Sequence, residues 1–396
     1  GRGVKIGILD TGLDDTPDNE DLPDTFEKVD YSLYPDEIDY DVENPVSGHG
    51  THVTGSALGR GTLSKFNPIN GGGAFSGIAP EADLAFVKLS PDHSTTATAA
   101  AIIGGINRLV NYYNVDVISM SFGGWFGHHD GSSAIDQAVD NAYASGVPIF
   151  ISAGNKAEEK RHASGSLNPL ANSGFIQINV SNAVFASTRL YINTVWNSAG
   201  EVNDLDITYY DASFHEVGDV IYLDETESTR GFKSMYSLLG EYVPQGNSTY
   251  YIKIKNNSLD TINYHLYEIW NDGNVTFENP DPKYTINTPG TADKAFTVGA
   301  YYTRNSWKSA MDTDESKPYS IGGIASYSSL GPSVSGVQKP DIVAPGGMII
   351  SIRDRDAFSN LNVNWIDNDG DNGGDANYYI LEGTSMATPM VAGAAA

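Results

Sequence analysis

Four apolar runs rich in branched residues, at residues 4–9, 82–89, 115–121 and 147–153, alternate with segments of helical periodicity near residues 49–59, 99–113 and 134–145. Runs without polar alternation are strands buried on both faces, and helix-length connections between such strands produce parallel pairing. The pattern therefore predicts an α/β fold with a doubly wound parallel sheet. At 396 residues the chain has room for one large domain of this kind and a smaller one.

In such sheets reactive groups gather where strands end and helices begin. Asp10 closes the first apolar run, in Asp10-Thr11-Gly12. His49 lies between glycines in Gly48-His49-Gly50-Thr51-His52 and opens a helix. Ser385 lies in Gly383-Thr384-Ser385-Met386-Ala387-Thr388-Pro389, which reads as a loop-to-helix junction with Pro389 in a first turn that tolerates it. Free N–H groups at a helix N-terminus favour negative charge, which suits a serine attacking a carbonyl. Taken singly, Ser385 also reads as a helix cap and Asp10 as a turn-capping aspartate.

These three blocks, in the order Asp, His, Ser, resemble the catalytic blocks of the subtilisin-like serine proteases, the subtilases. Ile151-Ser152-Ala153-Gly154-Asn155 is similar to the family's oxyanion-hole segment. Tyr327-Ser328-Ser329-Leu330-Gly331-Pro332 and Lys339-Pro340-Asp341-Ile342-Val343-Ala344-Pro345-Gly346 are similar to its approach to the serine. The resemblance covers roughly residues 1–155 and 286–396.

The resemblance implies a serine endopeptidase that works through an acyl-enzyme on Ser385, with His49 as base, Asp10 fixing the imidazole tautomer, and Asn155 with the Ser385 N–H as oxyanion donors. His52 is expected to be buried and structural. Protein or peptide substrate would lie extended along Ser119, Met120, Ser121, Phe122 and Gly123, with residues 91–95 as the opposite edge. Its side chain would enter a pocket between residues 121–124 and Ser152, Ala153 and Gly154, whose small walls suggest apolar or aromatic occupants.

Between residues 156 and 285 helical periodicity gives way to short alternating or aromatic runs at 175–180, 189–196, 206–210, 220–223, 249–254 and 263–269. This texture predicts an inserted all-β sandwich, jelly-roll-like. The expected division is a first catalytic part at 1–155, the inserted domain at 156–285 and a second catalytic part at 286–396.

Fifty acidic residues against 23 basic give a net charge of −27, which argues against nucleic acid or an anionic membrane as partner. No apolar run reaches membrane-spanning length, and there is no cysteine. Asp367, Asp369, Asp371 and Asp375 are spaced around a glycine-rich turn, so that their oxygens could converge on calcium; a solvated acidic loop is the alternative. The resemblance further implies a secreted protein, here expected to be monomeric, with a propeptide removed on maturation, and the ends read as those of a piece of a longer precursor. The competing function is a vestigial subtilase-like scaffold whose β-insertion binds carbohydrate or protein.

Overall fold

The computed structural model describes the chain except residues 17–18, 33–47, 63, 65–74, 93, 184–188, 199, 201–202, 219, 224, 240–242, 271–273, 356–361 and 367–375. The first part runs β1 (Lys5–Asp10), β2 (Glu27–Asp30), α1 (His49–Leu58), β3 (Asp83–Lys88), α2 (Ala99–Asn111), β4 (Val117–Met120), α3 (Ala134–Ala144) and β5 (Ile149–Ser152). Helices α2 and α3 start where side chains take up free N–H groups. Thr98 Oγ1 accepts from Ala101 N at 3.1 Å ahead of α2, and Ser133 with Asp136 forms a reciprocal capping box ahead of α3.

The middle part contributes β6 (His162–Leu167), β7 (Ile176–Ala183), β8 (Tyr191–Asn197), β9 (Leu205–Tyr210), β10 (Val220–Tyr222), β11 (Thr226–Glu227), β12 (Phe232–Leu239), β13 (Gly246–Asn256), β14 (Ile262–Glu268) and β15 (Val275–Phe277). The last part adds β16 (Phe296–Tyr302), β17 (Ser306–Lys308), β18 (Asp314–Ser316), β19 (Ile342–Gly347), β20 (Ile349–Ile352), β21 (Trp365–Ile366), β22 (Tyr378–Leu381) and α4 (Thr384–Ala395).

A parallel sheet of order β19-β16-β5-β4-β1-β3-β2 carries the architecture. Its two faces are covered by different helices, as the pleat requires. Ile6 and Ile8 of β1 join Val53, Ala57 and Leu58 of α1 and Ala387 and Ala392 of α4. Leu9 turns the other way, against Ile102, Ile106 and Leu109 of α2 and Val139 of α3. Each of the isoleucine, leucine and valine side chains, removed from water, contributes roughly 1.5–3 kcal/mol.

The segment between β5 and β16 builds two antiparallel sheets, of order β10-β12-β8-β14-β6 and β15-β7-β13-β9. Their facing sides enclose a shared core in which Ile192, Trp196 and Leu266 meet Ile178, Ile207 and Ile254. Trp196 is fully buried and satisfies its indole N–H on Asp204 Oδ1 at 2.8 Å. The core belongs to this segment, but its edge is tied to the parallel part. Asn193 Nδ2 donates to Gly127 O at 2.9 Å, and Gly127 N donates to the Tyr236 hydroxyl at 2.7 Å.

Several elements differ from expectation. After β1 comes the edge strand β2, whose Glu27-Lys28-Val29-Asp30 sequence lacks an apolar run and which, among the described residues, pairs only with β3. Strands β6 and β12 were not legible either; β6 reads His-Ala-Ser-Gly-Ser-Leu, with little β-forming character. Pro389 lies well inside α4, beyond the first turn.

Candidate active site

Asp10, His49, Asn155 and Ser385 are carried by the carboxyl ends of β1 and β5 and by the first residues of α1 and α4. Helix α1 approaches the end of β1 so closely that a Cβ on Gly50 would lie 2.0 Å from Gly12 O; only glycine permits the contact. That approach places His49 Nδ1 2.6 Å from Asp10 Oδ1. A carboxylate only accepts, so Nδ1 carries the proton and Nε2 is left with its lone pair. Asp10 is fully buried and its Oδ1 also accepts from Thr11 N at 2.8 Å, which holds the carboxylate in place. Burial works against a charged His49, but the Asp10 charge and hydrogen bond outweigh it and raise the imidazole pKa above 6.5.

Ser385 is half-buried in the first turn of α4. The residue before the helix, Gly383, offers no side-chain cap; Asn155 takes that role from the end of β5. Asn155 Oδ1 accepts from Thr384 N at 2.9 Å and from Thr384 Oγ1 at 3.0 Å. With its oxygen so occupied, the exposed Asn155 has its Nδ2 donors free to meet an oxyanion. Gly154 N donates in turn to Thr384 Oγ1 at 3.1 Å. Sequence reading missed Thr384, whose hydroxyl joins the two segments.

The interior position of Pro389 has a local consequence. A helical N–H at residue 389 would donate to Ser385 O, and proline has none. Ser121 Oγ donates to that carbonyl instead, at 2.7 Å.

Two adjoining pockets meet at Ser121 and Gly123. One runs past His49 between Phe122 and Phe126 on one side and Thr95 and Thr96 on the other, so the stretch expected as the second substrate edge does face the first. The other holds Ser385, Asn155, Ser152 and Gly154 and ends on Lys156, Glu159 and Asn287. Its walls are small, as expected, but its far side is polar rather than apolar.

Three residues assigned to substrate contact are corrected. Ser119 and Met120 lie fully buried inside β4, and Ala153 is fully buried with its N–H on Val298 O; none lines either pocket. Of the expected contacts, those that line the cleft are Ser121, Phe122 and Gly123 beyond β4, Ser152 at the last position of β5, and Gly154. His52 is buried as expected, one turn along α1, with Nε2 3.1 Å from both Ile349 O and Tyr379 O, and burial lowers its pKa to about 3. Asp367, Asp369, Asp371 and Asp375 lie outside the described residues. Among the described residues no group of three or more His, Asp or Glu is arranged to hold a metal, and no helix is long and apolar enough to cross a membrane.

Comparison with known proteins places this geometry. A model described as the subtilase family matches residues 1–236 and 245–396. Serine protease AprX of Bacillus subtilis (strain 168) is 24% identical over 405 residues, covering 100% of this chain and 57% of that protein. Subtilisin DY of Bacillus licheniformis is 34% identical over 170 residues, 43% of this chain and 52% of that protein. The major intracellular serine protease of Bacillus subtilis is 34% identical over 158 residues, 40% of this chain and 44% of that protein. The chain thus spans about half the length of these relatives. The structure of the Clostridium perfringens CspB protease matches with a TM-score of 0.70 at 20% identity, over 99% of this chain and 82% of that one, a likeness of fold. The family match over nearly the entire sequence, on a doubly wound parallel sheet, means that the chain belongs to the subtilase family.

Proposed function

We propose that this protein is a serine endopeptidase that hydrolyses peptide bonds through an acyl-enzyme on Ser385. The observation that carries the reading is the 2.6 Å contact of buried Asp10, at the carboxyl end of β1, with His49, at the start of α1. Asp10 holds the imidazole with Nε2 as base; His49 takes the Ser385 proton as the hydroxyl attacks the carbonyl carbon, then gives it to the leaving amine. Negative charge on the substrate oxygen would be met by Asn155 Nδ2 and the Ser385 N–H, donors already fixed before reaction. Water then repeats the sequence on the ester and frees Ser385.

The substrate class is protein or peptide, bound extended along residues 121–123. The antiparallel segment at 156–285 is read as an inserted jelly-roll-like domain, the enzyme as a secreted monomer, and a propeptide as its partner during maturation. Calcium is proposed for the Asp367, Asp369, Asp371 and Asp375 loop on its sequence alone. Chelator should lower the melting temperature, and Asp369→Asn with Asp371→Asn should abolish that response; unchanged melting would remove calcium from the account.

Covalent labelling with a fluorophosphonate, mapped by peptide mass spectrometry, tests the function. Stoichiometric labelling of Ser385 that disappears in His49→Ala is expected. A well-folded protein that leaves Ser385 unlabelled would overturn the reading.

A further inference from the structure

We infer that the pocket beside Ser385 selects a side chain ending in a carboxamide, glutamine or asparagine, on the acyl side of the cleaved bond, and that Asn287 is the residue that selects it. The inference rests on the peptidase reading and assigns its primary specificity.

Asn287 precedes β16 and reaches the pocket from behind. Its main-chain N–H is fixed on Ala153 O at 2.9 Å, and its side chain lies between the two walls. A Cβ added to Gly123 would lie 3.2 Å from Asn287 Cβ, and one added to Gly154, itself at φ +104°, would lie 2.8 Å from Asn287 Oδ1. The bare backbone of Gly123 and Gly154 therefore lets the amide close the pocket. The residue is only 8% exposed, and its Oδ1 has no hydrogen-bond partner among the described residues. A buried acceptor left open is costly, and a ligand that brings an N–H donor relieves the cost.

The charges beside it narrow the choice. Glu159 lines the same pocket and is held from both sides, by Lys156 Nζ at 3.1 Å and Arg161 Nη1 at 2.9 Å. With the carboxylate already held by two cations, an incoming lysine or arginine meets positive charge and finds no free partner. An incoming carboxylate has no N–H to give Asn287 Oδ1, which stays unpaired, and it meets the Glu159 charge. An aliphatic or aromatic side chain leaves Asn287 Oδ1 unpaired. A carboxamide is neutral and donates from its NH2 to Asn287 Oδ1. Sites built around a hydrogen-bonding group reject analogues that lack it far more strongly than apolar pockets reject a wrong size.

The test is cleavage of a peptide library by the full chain, varied at the residue before the scissile bond, with fluorophosphonate titration of Ser385 counting competent enzyme in every sample. Glutamine or asparagine should exceed leucine, phenylalanine, glutamate and lysine in kcat/KM by roughly tenfold or more. Asn287→Leu should lose that preference and raise cleavage after leucine, while Asn287→Asp, of equal size, should turn the preference toward lysine. Best cleavage after an apolar residue in the wild type, or an equal loss on all substrates in titrated Asn287→Leu, would overturn the assignment. A wild type that labels at Ser385 but prefers another residue refutes the specificity alone; one that neither labels nor cleaves refutes the peptidase reading and the specificity with it.

Discussion

Ser121 Oγ donates a 2.7 Å hydrogen bond to the main-chain carbonyl of Ser385, the group that Pro389 leaves without its helical donor. The hydroxyl thus completes the helix that carries the candidate nucleophile and ties it to the end of β4. Ser121→Ala should cost about 1–3 kcal/mol, the range for a buried acceptor left open. In a Pro389→Ala background an N–H returns to serve the same carbonyl, so the cost of Ser121→Ala should shrink. Denaturant titration of the four proteins measures the coupling; simple additivity would mean the two groups do not share this acceptor.

Thr384 fixes Asn155 through two donors, its N–H and its hydroxyl, and receives Gly154 N on that hydroxyl. Thr384→Val keeps the shape and the main-chain donor but frees one side of the amide. Turnover should fall by about tenfold with KM little changed, because an oxyanion donor acts on the transition state. Asn155→Ala removes the donor itself, and subtilisin sets the scale there at roughly two to three orders of magnitude in turnover. Equal falls in kcat for the two variants would contradict a purely orienting role for Thr384.

What the sequence revealed and what it hid divide along physical lines. Asp10, His49, Asn155 and Ser385 were legible because each sits in a short block whose glycines and small residues are dictated by close backbone approach, as at Gly50. Strand β9 was legible because Leu205, Ile207 and Tyr209 alternate inward against polar neighbours. Strand β2 was hidden because a single-sided edge strand needs no apolar run. Thr384 and Asn287 were hidden for a different reason. Their partners lie more than a hundred residues away, at Asn155 and at Gly154, and no local pattern encodes such a contact. Ser119 and Met120 were placed too near the substrate because a motif gives the order of residues along a strand, not where the strand emerges from the sheet.

On the proposed mechanism the Asp10 contact should set the pH dependence of turnover. Desolvation lowers the His49 pKa, but the Asp10 charge and hydrogen bond raise it more, to a value above 6.5. Catalysis needs the neutral imidazole, so kcat/KM should rise as pH increases through that raised value. In Asp10→Asn the charge is gone and the wrong tautomer is favoured, so the rising limb should move to lower pH while the rate drops on the order of 10⁴-fold. A limb that stays in place would mean that another group controls the profile.

Four other histidines act on stability with the opposite shift. His129, His162 and His265 stack on or beside Tyr267 where the antiparallel segment meets the parallel part, and His52 lies under β20. Burial lowers their pKa values, to about 3 for His52 and His129, about 4 for His162 and well below 6.5 for His265. In the unfolded chain they titrate near 6.5, so below that pH the unfolded state binds protons that the folded state refuses. Their contribution is fully present above about pH 6.5 and is lost progressively as the pH falls toward 4. Asp136, Asp140 and His49 run the other way: burial raises Asp136 to about 6 and Asp140 above its usual range, and Asp10 raises His49, so their protonation favours the folded state as pH falls, but the four histidine shifts outweigh them. Thermal melts between pH 8 and 4.5 should therefore show a falling transition that begins near 6.5, before most carboxylates titrate. Replacing His265 by phenylalanine should flatten the fall by preserving the ring and removing one acceptor of protons in the unfolded chain. A melting temperature constant from pH 7 to 5 would show that these histidines do not remain neutral in the folded protein.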